Sequence, residues 1–322
     1  MAELELSVVI PTIGRGERLR RALERLERQH ASGRFEVVVA VDAAASDEDV
    51  EATAEPRPYP SRVVRADAAG AAGARNAGLR SASAPLVLFL DDDVLADREL
   101  IGEHLAWHGR APEVEVGVLG DVRWASELRV TPFMRWLEDG IQFDYPNIEG
   151  TEAGWGRFYT ANVSVKRELV ERVGGFDERR FPFGHEDLDL AYRMSRHGFR
   201  LLYNRDAGAE HLHPMDLDFW RRRVRRIAAS ERRFCTVHPD VRPYFHDLLR
   251  HHLDAPPPRG LGARLAAIVP RRVPVLGERA WRSADAVYRH ELAPPFFDAW
   301  NAAAAEADDV APDLGERRLS GR

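Results

Sequence analysis

Cysteine occurs once in the 322 residues, as Cys235, so no intrachain disulfide can form and a cysteine-based zinc site is excluded. Lysine also occurs once, as Lys166. The other 45 of the 46 basic residues are arginine, which fits a GC-rich genome as well as a need for forked donors. No apolar run reaches the ~18 to 20 residues of a membrane span, and Met1 leads into a strand without the layout of a signal peptide. The expected location is cytoplasmic. Basic excess is lacking too: 46 basic against 52 acidic side chains give a net charge of -6, which removes the electrostatic case for nucleic-acid binding. What is present, 44% hydrophobic and 30% charged residues, is the composition of a globular protein of one large or two modest domains.

The first 120 residues repeat one grammar of short apolar run, polar turn and helical pattern. Strands are expected at 6–10, 35–41, 62–65, 86–90 and 114–119, with helices at 17–30, 72–81 and 97–109 between them. Alternation of this kind predicts an α/β fold, a Rossmann-like and mainly parallel sheet with helices on both faces. Its chemistry belongs at the carboxyl ends of the strands. From 123 to 157 the periodicity weakens and aromatics crowd among prolines and glycines, as in a loop covering a pocket. Trp136, Tyr145 and Trp155 there suit stacking on sugar faces as well as packing of the loop. A strand at 158–165, a helix at 166–173 and a helix at 186–197 are expected next. A basic helix carrying RRRVRR follows at 218–234, then a break at 256–260 and an Ala-rich helical appendage with a polar tail from about 308.

Candidate site residues fall just after the strands. Pro11, Thr12 and Arg15 close the first, and Asp42 closes the second, where a carboxylate can bind base or ribose or simply cap the next turn. Gly70 and Gly73 precede a helix whose first turns carry Arg75, a fork for phosphate or base. Asp91, Asp92 and Asp93 end the fourth strand with no basic partner beside them in sequence. Three clustered carboxylates call for a hard cation, Mg²⁺ or Mn²⁺, which completes its shell with substrate phosphates; a solvated turn is the alternative. Glu186, Asp187 and Asp189 open an amphipathic helix, where the dipole favours ionised carboxylates and one of them can act as a general base. His211 and His213, two apart, share a face if that segment is extended.

The pieces VVIPT, VVVAVD, GARNAG, LVLFLDDDV, ANVSV, VGGFDERRFPFGHEDLDLAYRMSRHGFRL and AEHLHP together, in this order, resemble family 2 glycosyltransferases of the GT-A fold over roughly residues 6–214. The resemblance implies an inverting transfer of a sugar from a nucleotide-diphosphate sugar, a UDP- or GDP-sugar, to an acceptor hydroxyl. It implies Asp187 as the base and Glu186 as a group orienting acceptor or donor sugar. Asp93 becomes the direct metal ligand, with Asp91 or Asp92 nearer the ribose, and His211, or else His213, closes the metal-diphosphate site. Pro11, Thr12, Asp42 and Arg75 match positions lining base and ribose, although Asp42-Ala43-Ala44-Ala45-Ser46 departs from the family's aspartate-glycine-serine. A nucleotidyltransferase would share the sheet and the acidic ligands but would not account for GGFDE followed by ED; a catalytically silent sugar-binding relative is the alternative outside enzymology. The expected organisation is a GT-A domain at 1–214 with an acceptor loop at 123–157, a basic helical extension at 215–255 and a helical appendage at 256–322. The acceptor is a saccharide, lipid-linked or small molecule. Arg221, Arg222, Arg223, Arg225 and Arg226 are expected either to pair with acids of the sheet domain or of a second copy in a homodimer, or to rest peripherally on the inner membrane face.

Overall fold

The computed structural model describes residues 4–14, 16–31, 33–46, 56–256 and 276–309, and the chain divides into two compact units, Met1–Met215 and Asp216–Arg322. The first unit is built on an eight-stranded sheet. Its strands are β1 (Leu6–Thr12), β2 (Phe35–Val41), β3 (Ser61–Arg65), β4 (Leu86–Leu90), β5 (Val94–Ala96), β6 (Val116–Trp124), β7 (Asn162–Lys166) and β8 (Arg200–His211), in the order β3-β2-β1-β4-β7-β6-β8-β5. Four of the seven pairings are parallel; β7 runs against β4 and β6, and β5 runs against β8. Every residue of β2 and β4 is buried, as parallel strands covered on both faces require. The mixed α/β architecture therefore matches the expectation.

Among the described residues three helices connect the first half: α1 (Gly16–Leu26), α2 (Ala71–Ser81) and α3 (Leu100–Arg110). Leu19, Ala22, Leu23 and Leu26 give α1 a single buried stripe. By contrast, α2 is buried from Ala72 to Leu79, which its small side chains permit. Gly78 is required there, because a Cβ would run into the Val9 side chain of β1. The segment 123–157 is less of a loop than expected. Arg123 and Trp124 belong to β6, and Pro132–Leu137 forms a short helix, α4, whose N-cap Thr131 accepts the Met134 N–H at 3.2 Å. The strand expected from 158 begins only at Asn162, after a 3₁₀ turn at Trp155–Arg157. Two short helices follow, α5 (Arg167–Arg172) and α6 (Glu186–Ser195).

The second unit contains α7 (Leu217–Val237), α8 (Tyr244–Leu253) and α9 (Leu276–Asp309) among the described residues. Trp220, Val224, Ala228 and Phe234 form the buried stripe of α7, and Glu231 caps α8 by accepting the N–H groups of Phe245 and His246 at 2.7 and 2.9 Å. The arginines of α7 are only partly neutralised: Arg221 pairs with Asp218 and Glu291 and Arg223 lies over the Trp220 ring, while Arg222 and Arg225 are exposed. No helix among the described residues is long and apolar enough to cross a membrane. Of the expected break at 256–260, residues 257–260 lie outside the described residues, as does the tail from 310.

Candidate active site

Because β1 and β4 are neighbours, their carboxyl ends meet: Thr12 Oγ1 donates to Asp92 Oδ2 at 2.6 Å. Asp92 is thereby committed to joining two strands. Asp93, also buried, faces the end of β8, since β5 pairs Val94 with His211. His211 Nε2 lies 3.6 Å from Asp93 Oδ1, and His213 Nδ1 lies 3.4 Å from Asp93 Oδ2. Both histidines converge on one carboxylate, a convergence that spacing in the sequence could not decide. Arg18 of α1, which sequence reasoning missed, enters the same place, 3.6 Å from Asp93 Oδ2 and 3.0 Å from His213 Nδ1.

These separations resemble the edges of a coordination shell, roughly 3 Å for donors at right angles around a small divalent ion. Among the described residues no group of three or more His, Cys, Asp or Glu side chains is placed so that it could hold a metal ion by itself. The donor chemistry of one carboxylate with flanking imidazoles nevertheless fits an ion that takes its other ligands from water and phosphate.

The basic partner that the Asp91–Asp93 carboxylates lack beside them in sequence is supplied in the fold by Arg75. This buried guanidinium donates through Nη2 to Asp91 at 2.9 Å and through Nη1 to Glu186 at 2.7 Å, linking the two acidic clusters. Burial opposes its charge, but Asp91, Glu186 and Asp187 outweigh that and raise its pKa. The fork expected for phosphate or base is thus occupied by protein carboxylates. Glu186 Oε2 is buried and accepts no hydrogen bond. Asp187, partly buried at the mouth of α6, accepts the Leu188 N–H at 2.8 Å; burial first, and the Glu186 charge second, push its carboxyl up to about 7. Asp189 pairs instead with Arg193, Nε to Oδ2 at 2.9 Å.

The GGFDE segment reaches this site through Asn76 of α2. Its side chain accepts the Phe176 N–H at 2.9 Å and donates to the Phe176 carbonyl at 2.9 Å, while Gly175 (φ 71°) passes so close that a Cβ would meet the Asn76 oxygen. Asp42 shows the capping role weighed for it: it accepts the N–H of Ala44 at 2.8 Å and of Gly70 at 2.6 Å. Pro11 lies half-buried at the end of β1; Arg15 lies outside the described residues.

Trp136 and Tyr145 are buried, Trp136 against Phe133 and Tyr145 stacked between Phe143 and Tyr203, so both serve loop packing. Trp155 alone of the three is partly exposed, with its ring at a T-shaped angle to Tyr192 of α6. The Tyr145 hydroxyl is buried without a hydrogen-bond partner. Removing it in Tyr145→Phe should stabilise the protein by about 1 kcal/mol, a rise of roughly 2 to 4 °C in Tm. A melting curve in which the variant is less stable than the wild type would show that the hydroxyl is satisfied.

The sequence profile described as glycosyltransferase like family 2 matches residues 4–229. Validoxylamine A glucosyltransferase from Streptomyces hygroscopicus subsp. jinggangensis (strain 5008) is 33% identical over 272 residues, 74% of this chain and 62% of that protein. An uncharacterized glycosyltransferase of Bacillus subtilis (strain 168), YfnE, is 26% identical over 253 residues, 65% of this chain and 64% of its own length. The chain thus spans less than two thirds of the length of either relative. Among solved structures, the mannosyltransferase PcManGT from Pyrobaculum calidifontis, in complex with GDP-Man and Mn²⁺, superposes with a TM-score of 0.56 at 20% identity, covering 98% of this chain and 77% of that one. S. aureus TarS 1–349 in complex with UDP-GlcNAc gives 0.52 at 15% identity, covering 95% and 92%. Likeness at such identities is a likeness of fold.

Proposed function

The chain belongs to glycosyltransferase family 2, and from that premise we propose an inverting, metal-dependent transfer of a sugar from a UDP- or GDP-sugar to an acceptor hydroxyl, with Asp187 as the general base. One observation carries this reading: Asp187 is a carboxylate at a helix mouth whose carboxyl is pushed up to about 7, the value suited to taking a proton near neutrality. Asp187 accepts the proton of the acceptor hydroxyl as that oxygen bonds to the anomeric carbon. The bond from that carbon to the diphosphate oxygen breaks on the opposite face, and its electron pair leaves with the nucleotide. Glu186, held through Oε1 by Arg75 beside Asp187, would orient the acceptor or donor sugar.

Asp93 with His211 and His213 would hold Mn²⁺ or Mg²⁺, which when bound neutralises charge on the departing diphosphate. Arg18 beside them can pair with a phosphate oxygen. Pro11, Thr12 and Asp42 line the nucleoside side at the ends of β1 and β2, and Asp91, the most accessible of its cluster with a side chain 32% exposed, faces the ribose. PcManGT holds GDP-Man with Mn²⁺ and TarS holds UDP-GlcNAc, which supports both donor classes for this chain.

Incubation of the purified chain with UDP-glucose or GDP-mannose and Mn²⁺, followed by NMR of the anomeric proton, tests the reaction. Metal-dependent release of nucleotide with inverted product supports it; a retained configuration refutes the mechanism. In calorimetric titrations, Asp93→Asn is expected to lose at least about tenfold in Mn²⁺-dependent affinity for UDP or GDP, and Asp92→Asn less. Full retention of affinity by Asp93→Asn sinks the metal assignment.

The exposed Arg222 and Arg225 of α7 support peripheral contact with an anionic lipid surface, where a lipid-linked acceptor is presented. Sedimentation with phosphatidylglycerol vesicles should then occur at low salt and be lost at moderate salt. Failure to bind at low salt leaves a water-soluble acceptor.

A further inference from the structure

The residues placed so far give the acceptor a base but no binding face. Resting on the glycosyltransferase reading above, we propose that Phe183 is that face: a platform that stacks on a ring-shaped, polyhydroxylated acceptor such as a pyranose or a cyclitol and sets acceptor choice.

Among the described residues of the first unit, the exposed large apolar side chains are Ile13 and Phe183, at 55% and 44%. Ile13 follows Thr12 on the nucleoside side. Phe183 stands four residues before Asp187, on the turn that delivers the base. The segment is pinned on both sides of the ring. Phe181 is buried and its N–H donates to the Asp177 carbonyl at 2.9 Å. The Pro182 carbonyl accepts the Ala72 N–H at 3.2 Å and fills the space that a Cβ on Gly70 would need. Gly184 (φ 83°) and His185 (φ 59°) then take left-handed conformations in succession, and His185 is the N-cap of α6. His185 is the one non-glycine residue with positive φ among the described residues, a conformation that persists only where surrounding contacts impose it.

The exposed part of the Phe183 ring carries a hydrophobic cost that a covering molecule relieves. The acceptor hydroxyl must come within hydrogen-bond reach of Asp187, and Phe183, four residues earlier on the same turn, is an exposed apolar side chain close to it along the chain. Phenylalanine has no polar tip and offers only a flat apolar face. Pyranoses and cyclitols present a complementary face of C–H groups, whereas extended chains do not. Trp155, partly exposed and in a T-shaped contact with Tyr192 of α6, adds a second aromatic beside that helix.

The test uses the full chain with Mn²⁺ and UDP or GDP, and saturation-transfer NMR titrations of methyl β-D-glucopyranoside, methyl α-D-mannopyranoside and myo-inositol. At least one of these is expected to bind, with Phe183→Ala weakening it about three- to tenfold and Phe183→Trp staying within about twofold. Any change in nucleotide affinity should be much smaller than the change for the ring compound. The platform is overturned by unaltered ring binding in Phe183→Ala, by an equal loss of nucleotide affinity, or by a wild type that binds none of the three. Ring binding is read without turnover, so failure of donor turnover refutes the glycosyltransferase reading separately.

Discussion

Asp187→Asn should lower kcat by roughly 10² to 10⁴ while donor affinity stays within about twofold, because the amide keeps the shape of the carboxylate but cannot take the acceptor proton. Wild-type activity should carry the same signature in its pH dependence. A base with a carboxyl pushed up to about 7 is protonated below that value, so kcat/KM falls about tenfold per pH unit on the acid side and levels off above it. The same shift has a consequence for stability with the opposite sense. Unfolded, this carboxyl ionises near its ordinary 3.8; folded, it holds its proton to about 7, so the native state loses stability as pH rises between the two. Asparagine carries no charge at any pH. Asp187→Asn is therefore expected to melt above the wild type at pH 8 and together with it below about pH 4. A variant that melts lower at pH 8 and loses nucleotide affinity as well as rate would make Asp187 a structural residue.

Arg75→Met is the most damaging single change expected for the fold. The guanidinium is buried and bridges Asp91 and Glu186, so its removal leaves Glu186 as a buried carboxylate without its counter-charge. Breaking such a pair costs about 3 to 5 kcal/mol. For a unit of this size that is a fall of about 10 °C in Tm. Arg75→Lys keeps the charge, but one ammonium replaces a fork that spans two carboxylates, and an intermediate loss is expected. Thermal melts of both variants check this ordering; a methionine variant within about 2 °C of the wild type would mean that the bridge contributes nothing.

Physical causes separate what the sequence made legible from what it hid. The runs of β1, β2 and β4 read clearly because strands buried on both faces are continuously apolar. β8 did not, because its middle carries Asn204, Arg205 and Asp206 where the pairing with β6 shifts register between Gly120 and Asp121. β5 is only three residues long and follows the aspartates directly. In the site, clustered carboxylates and the paired histidines could be picked out by residue type, and their family placement came from the resemblance. Their partners could not, because Arg18 and Arg75 reach them only through the order of strands in the sheet. Phe183 stayed hidden for a different reason: in the sequence an aromatic beside Phe181 and Pro182 looks like core, and only the left-handed turn at Gly184 and His185 leaves it outside.

The Arg75 bridge also constrains how the protein emerges from the ribosome. One partner, Asp91, follows 16 residues later, but the other, Glu186, is 111 residues downstream. β4 likewise waits for β7, and β5 waits for β8. A nascent chain that has released only β1 to β4 therefore holds an inner helix, α2, with a guanidinium whose second carboxylate does not yet exist. Native order is unavailable until β8 has left the exit tunnel. The N-terminal half should stay open to proteases and to chaperones for most of synthesis, and closure should come late and nearly at once across the whole sheet.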